Sequence, residues 1–207
     1  MSREMLRATM LALALAGATW GAADAADPRY PDWPCAQAKV PELSVAAVWA
    51  GPPIDAAGEA WKSDAKVKDM VARLAARRTP LEDAQKTAED FVAASGADKA
   101  EKAKLLFTGL FQELNQQRTE VMDGIDRIAK KEKELADTIR TDRAALGEAQ
   151  DNPSPDQQKI HDLTSRLEWG TRIYEDRRKT IRYVCEVPTA IERRLFALGR
   201  AIAQAAE

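Results

Sequence analysis

Histidine is nearly absent from this sequence: there is one, His161, and there are only two cysteines, Cys35 and Cys185, in 207 residues. A histidine-rich zinc site is excluded by the first scarcity. The second leaves no Cys-x-x-Cys redox motif, and neither cysteine has a histidine near it in sequence to activate a thiol. The chain also lacks a P-loop, a Gly-x-Ser-x-Gly elbow and a His-Glu-x-x-His pair, so no common catalytic signature is present. The net charge is −2, which gives no overall attraction to nucleic acid or to an anionic membrane. Ten glycines and few aromatics, against 31% charged residues, favour helix over sheet. At this length one domain is expected.

Long apolar runs are missing too, apart from Met10–Ala18 near the start. That run is shorter than the roughly 20 residues a membrane helix needs. Arg3 and Arg7 precede it, and Ala23-Asp24-Ala25 follows as a small-x-small cleavage pattern. Residues 1–25 therefore read as a cleaved signal peptide. The expectation is an exported, soluble, periplasmic protein with no membrane span after cleavage. Export places Cys35 and Cys185 in an oxidising compartment, where they have one intramolecular pairing, with each other.

What the chain does have is unevenly spread. The stretch from Tyr30 to Pro53 holds five of the ten prolines, two of the five tryptophans and Cys35. Residues 26–63 are expected to form an extended strap, with one or two helical turns before Gly51, tied to the body by the disulfide. Trp33, Trp49 and Trp61 in this strap either pack as core or line a pocket.

The remainder, 64–207, reads as helices. Val67, Met70, Val71 and Leu74 share one face of a helix over 64–77, capped by Ser63 or Asp64. Thr79 and Pro80 form an N-cap and first-position pair for a second helix to about residue 95. From Asp98 to Gln150 no proline intervenes. Steps of four and three pass through Phe107, Phe111, Leu114, Arg118, Val121, Ile125, Ile128, Glu132, Leu135, Ile139, Asp142 and Leu146, a sustained heptad pattern. Asp151–Asp156, with two prolines, breaks it. The same rhythm then returns through Ile160, Leu163, Leu167, Gly170, Tyr174, Arg177, Ile181 and Val184, and past Pro188 through Ile191, Leu195, Leu198 and Ile202. This predicts an antiparallel hairpin with its tip at 151–156. Its register sets Ile139 by Leu167, Ile125 by Ile181 and Val121 near Cys185, and a C-terminal helix Thr189–Ala205 beside residues 101–117.

The expected fold is thus all-α: a small helical bundle, a long coiled-coil hairpin projecting from it, and a disulfide-tied strap. Leu105–Phe111 is apolar on a broad arc and needs the helices at 64–77 and 80–95 as partners. Toward the tip only the heptad seam is apolar.

Isolated chemical motifs have structural readings. Ser63-x-x-Lys66 matches the spacing of penicillin-binding enzymes, but without companion motifs Ser63 reads as a helix cap. Glu148, Asp151 and Asp156 lack EF-hand spacing. Around the middle of the hairpin Arg127, Lys130, Lys131 and Lys133 face Arg172, Arg177, Arg178, Lys179 and Arg182, a band about half offset by carboxylates, with Asp126–Lys130 and Lys133–Asp137 as helical ion pairs. This band, reduced to Arg127, Lys130, Lys131, Arg172, Arg177, Arg178, Lys179 and Arg182, is a candidate interaction surface.

The function expected from these features is non-enzymatic: an adaptor, assembly factor or chaperone-like protein whose hairpin engages another envelope protein, with no cofactor or metal. The alternative is a ligand- or metal-binding module with its site between strap and bundle. Self-association through the coiled coil is a further arrangement that the polar seam allows.

Overall fold

The computed structural model describes residues 27–207; the expected signal peptide lies outside them. Among the described residues every regular element is a helix. In chain order they are α1 (Val45–Val48), a 3-10 turn at Ala60–Ser63, α2 (Ala65–Ala75), α3 (Leu81–Ala93), a second 3-10 turn at Gly96–Asp98, α4 (Lys99–Asp151) and α5 (Gln157–Ala206). Helices α4 and α5 form the antiparallel hairpin. With 53 and 50 residues, they extend about 75–80 Å.

The tip falls where the prolines put it. Helix α4 stops at Asp151, and Asp156 caps α5 by accepting from the Gln158 and Lys159 amides at 3.0 and 3.1 Å, so its carboxylate is committed to the helix end. Other boundaries differ from expectation in part, and of the two expected caps of α2 the second serves. The cap of α2 is Asp64, whose Oδ1 accepts from Lys66 and Val67 at 3.0 and 3.1 Å, whereas Ser63 closes the preceding 3-10 turn. Helix α3 begins one residue late, with Pro80 at the cap and no side-chain cap bond. The Thr79 carbonyl instead accepts from Arg194.

The larger difference is at Pro188, where no separate C-terminal helix begins. Helix α5 runs straight through it. A proline inside a helix forfeits one backbone hydrogen bond and costs about 3 kcal/mol. Here the cost is offset by burial on both sides, because Ile181 and Cys185 precede Pro188 and Ile191, Leu195, Leu198 and Ile202 follow it in one continuous buried stripe.

The core sits at the base. Val67, Val71 and Leu74 of α2, Ala84, Ala88 and Val92 of α3, Leu106, Phe107, Leu110 and Leu114 of α4, and Leu195, Leu198 and Ile202 of α5 form one cluster with Val48, Trp49 and Trp61. Helix α2 packs on α4, while α3 lies chiefly against α5. Two helical glycines permit close approaches in the core. A Cβ on Gly109 would meet Val71 Cγ2 at 2.6 Å and Trp61 Cδ2 at 2.8 Å, and one on Gly199 would run into the Val48 carbonyl and Phe107.

The strap is irregular, with short turns closed by Tyr30 and Trp33 amides onto Asp27 and Tyr30 carbonyls. Cys35 is joined to Cys185, with Cα atoms 5.5 Å apart across 150 residues of sequence. Closing so long a loop removes denatured-state entropy worth about 5 kcal/mol in the chain-entropy model.

Candidate functional site

Three regions hold the residues singled out by sequence: the ground beneath the strap, the middle of the hairpin, and its distal half.

Beneath the strap, Arg118 is the central group. It occupies a heptad position and is 2% exposed. Its Nε donates to Glu192 at 2.6 Å, Nη1 donates to the Pro41 carbonyl at 3.3 Å, and Nη2 donates to the Val40 carbonyl. A charge buried on a seam is costly without partners; here it is neutralised by Glu192 and also holds the strap. Lys39 adds a second tie: its Nζ lies 2.6 Å from Asp126 and over the rings of Tyr30 and Trp33, at 4.8 and 5.3 Å.

The three strap tryptophans go to different places. Trp49 stacks on Phe107 at 4.3 Å and donates to the Pro52 carbonyl. Trp61 is buried and donates to Gln112, which in turn donates to the carbonyls of Ala56 and Gly58. Trp33 is half-buried and donates to the Gln37 carbonyl. The first two are core, and no cavity among the described residues is lined by all three. A different cavity of about 550 Å³ does lie between strap and α4, lined by Tyr30, Lys39, Leu43, Phe111, Asn115 and Met122 among others. The Oδ1 of Asn115 is buried without a hydrogen-bond partner.

At mid-hairpin all eight band residues are exposed, but helical phase distributes them around the pair. By the 100° step per residue, Arg178 and Arg182 lie about 140–180° round α5 from Ile173. Arg127 folds toward Gly124, and Lys130 faces a small cavity beside Trp33 and the strap. Lys131 and Arg177 alone share a cleft. Arg172 lies over the ring of Trp169 at 5.6 Å. The expected pairs also rearrange: Asp126 takes Lys39 instead of Lys130, and Lys133 takes Asp32 at 2.7 Å instead of Asp137. Lys179 pairs with Asp176 at 3.2 Å. Strap residues, remote in sequence, thus compete for charges that helical spacing alone assigns locally.

In the distal half the predicted register holds. Asp142 pairs with Arg166 at 3.2 Å, and a Cβ on Gly170 would sit 3.3 Å from Ile139. Yet no residue of α4 between Ala129 and Ala149, and none of α5 between Leu163 and Ile181, is buried. Two helices alone leave this seam half-open. Beside it lies a cleft of about 490 Å³ between Ile128 and Lys131 of α4 and Ile173, Arg177, Ile181 and Val184 of α5. Sequence reasoning missed what flanks it: Trp169, Ile173 and Tyr183 are 64, 41 and 74% exposed. Their signal was present, since these large apolar residues lie off the heptad seam and within about 80° of one another on α5.

His161 is exposed beside Asp162. No group of three or more metal-ligating side chains is gathered among the described residues, and none of their helices is long and apolar enough to cross a membrane. Comparison with family models, curated proteins and solved structures finds no match to this chain.

Proposed function

We propose that this chain is an exported, periplasmic, non-enzymatic protein that acts by binding a partner protein of the cell envelope through its hairpin, as an adaptor, assembly factor or chaperone-like clamp. One observation carries the reading: the core cluster draws nothing from residues 130–175, so about 20 residues of each helix stand beyond the bundle. Such a length, roughly 33 Å from Lys130 to Asp151, costs chain entropy without adding to the core. Holding a half-open apolar seam out from the body suits recognition. Export is supported by the N-terminal pattern and by the Cys35–Cys185 bond, which belongs to an oxidising compartment.

The test is affinity capture from an envelope extract, comparing the full mature chain with one in which residues 130–175 are replaced by a short turn. Because the core lies wholly outside this segment, the base is expected to fold in both. Partners should be lost on deletion; an unchanged set contradicts the reading.

A second reading, a ligand-binding module, draws support from the cavity under the strap and its unpartnered Asn115 oxygen. Tryptophan fluorescence titrated with divalent metals and small anions separates the two, since Trp33 lies beside that region. A flat response counts against the module.

A further inference from the structure

We infer that the cleft on one side of the hairpin, between Ile128 and Lys131 of α4 and Ile173–Val184 of α5, receives a single amphipathic helix of a partner protein whose polar face is acidic. This rests on the hairpin reading above and names its site and partner chemistry.

The argument begins with an incomplete core. Leu135, Ile139 and Leu167 in the two-helix seam are only partly covered, and Ile173 beside the seam is 41% exposed. A third helix laid alongside would bury them, as the third strand of a coiled coil does. The cleft supplies a floor for it, with Ile128, Ile173, Ile181 and Val184 around about 490 Å³. Its length is set by α5. Trp169 and Tyr183 are fourteen positions apart on adjoining faces, just under four turns, and about 21 Å of rise separates them. That suits an occupant of about four turns, and a concave trough between two rods fits a rod better than a flat lipid surface.

The charge decides which helix. Lys131 and Arg177 stand on the walls and Arg172 at the Trp169 end, and no carboxylate of the described residues forms an ion pair with any of the three. The one carboxylate on the wall, Asp176, is already held by Lys179 at 3.2 Å. Cations kept unpaired beside an apolar floor favour a partner that brings its own carboxylates. The same trio argues against a second copy as the occupant. A two-fold pairing through this face would set Lys131, Arg172 and Arg177 of one chain against those of the other.

The test uses the full mature chain and a fluorescein-labelled 16-residue peptide with leucines at helical spacing and glutamates elsewhere, read by anisotropy. Its controls are the same peptide with every glutamate changed to lysine, and vesicles containing phosphatidylglycerol. The glutamate peptide should bind at least about ten-fold more tightly than the lysine peptide, and more weakly as salt rises. Ile173→Asp and Arg177→Glu, both at exposed positions, should each weaken it about ten-fold, while Arg182→Glu on the far side should leave it within two-fold. Equal binding of both peptides, no binding of the glutamate peptide, indifference to both cleft variants, or preference for the vesicles would overturn the inference. Envelope capture separates its failure from that of the hairpin reading. Partners lost on deleting 130–175 but kept by both cleft variants refute the cleft alone, whereas partners kept after the deletion refute the hairpin.

Discussion

Arg118 concentrates much of what holds the strap in place. A buried guanidinium satisfied by one carboxylate and two strap carbonyls is stabilising only while all three remain. Arg118→Met should therefore cost about 2–4 kcal/mol, moderated because Glu192 is partly solvated and can rehydrate. Tryptic cleavage after Lys39 should accelerate selectively; acceleration at sites throughout the chain would mean the residue serves the bundle instead of the strap. Gly199 makes an opposite point about absence. Alanine normally stabilises a helix interior by about 1 kcal/mol relative to glycine, but here its methyl would press on the Val48 backbone carbonyl. Overpacking of that kind costs about 1–3 kcal/mol, so Gly199→Ala should lower the unfolding midpoint, and a rise would show that α1 is not seated there. Asp64 adds a pH dependence. The Lys102 ammonium, followed by the Val67 amide, holds its carboxyl below the ordinary 3.8. Since the folded value is the lower one, this stabilisation is complete above the ordinary value and fades as pH falls through the depressed one. Asp64→Asn should flatten that acidic limb of the stability profile.

Among the elements, the hairpin was the most legible in sequence and the strap the least. The tip was readable because Pro153 and Pro155 fall in an exposed stretch where no packing offsets the hydrogen bonds they forfeit, and the register followed because heptad spacing fixes which faces meet. Pro188 was misleading for the converse reason: the same residue type interior to a long helix is tolerated when Ile181, Cys185, Ile191 and Leu195 are buried around it. Thr79 looked like a cap, yet its backbone carbonyl is occupied by Arg194, 115 positions away. The role of Arg194 carried no local signal at all: its Nε and Nη1 close the end of α2 by donating to the Leu74 and Thr79 carbonyls. For the strap, sequence indicated the bond between Cys35 and Cys185 but not how Arg118 and Lys39 reinforce it. Replacing both cysteines with alanine should cost up to about 5 kcal/mol by loop entropy, read as a lower denaturation midpoint. No change would imply that the noncovalent ties already confine the strap.

For the molecule as a whole, the division of labour is between a base that is packed and a hairpin that is not. The base gathers four helices and two tryptophans around α4; between Ala129 and Ala149 of α4 and between Leu163 and Ile181 of α5 the apolar residues are only partly covered, with the cleft and Trp169 on one side. Of the candidate site, sequence disclosed that the mid-hairpin is cationic but not that strap carboxylates and helical phase would leave Lys131 and Arg177 in the cleft, with Arg172 stacked on Trp169. The claim that the hairpin is the working part is tested most directly by placing a photoreactive amino acid at single exposed positions in living cells. Positions along residues 130–175, such as Ile173, are compared with exposed positions on the base, such as Glu89 and Arg193. The account predicts covalent adducts to another envelope protein from the hairpin and few or none from the base. Adducts confined to the base, or spread evenly over both, would contradict it.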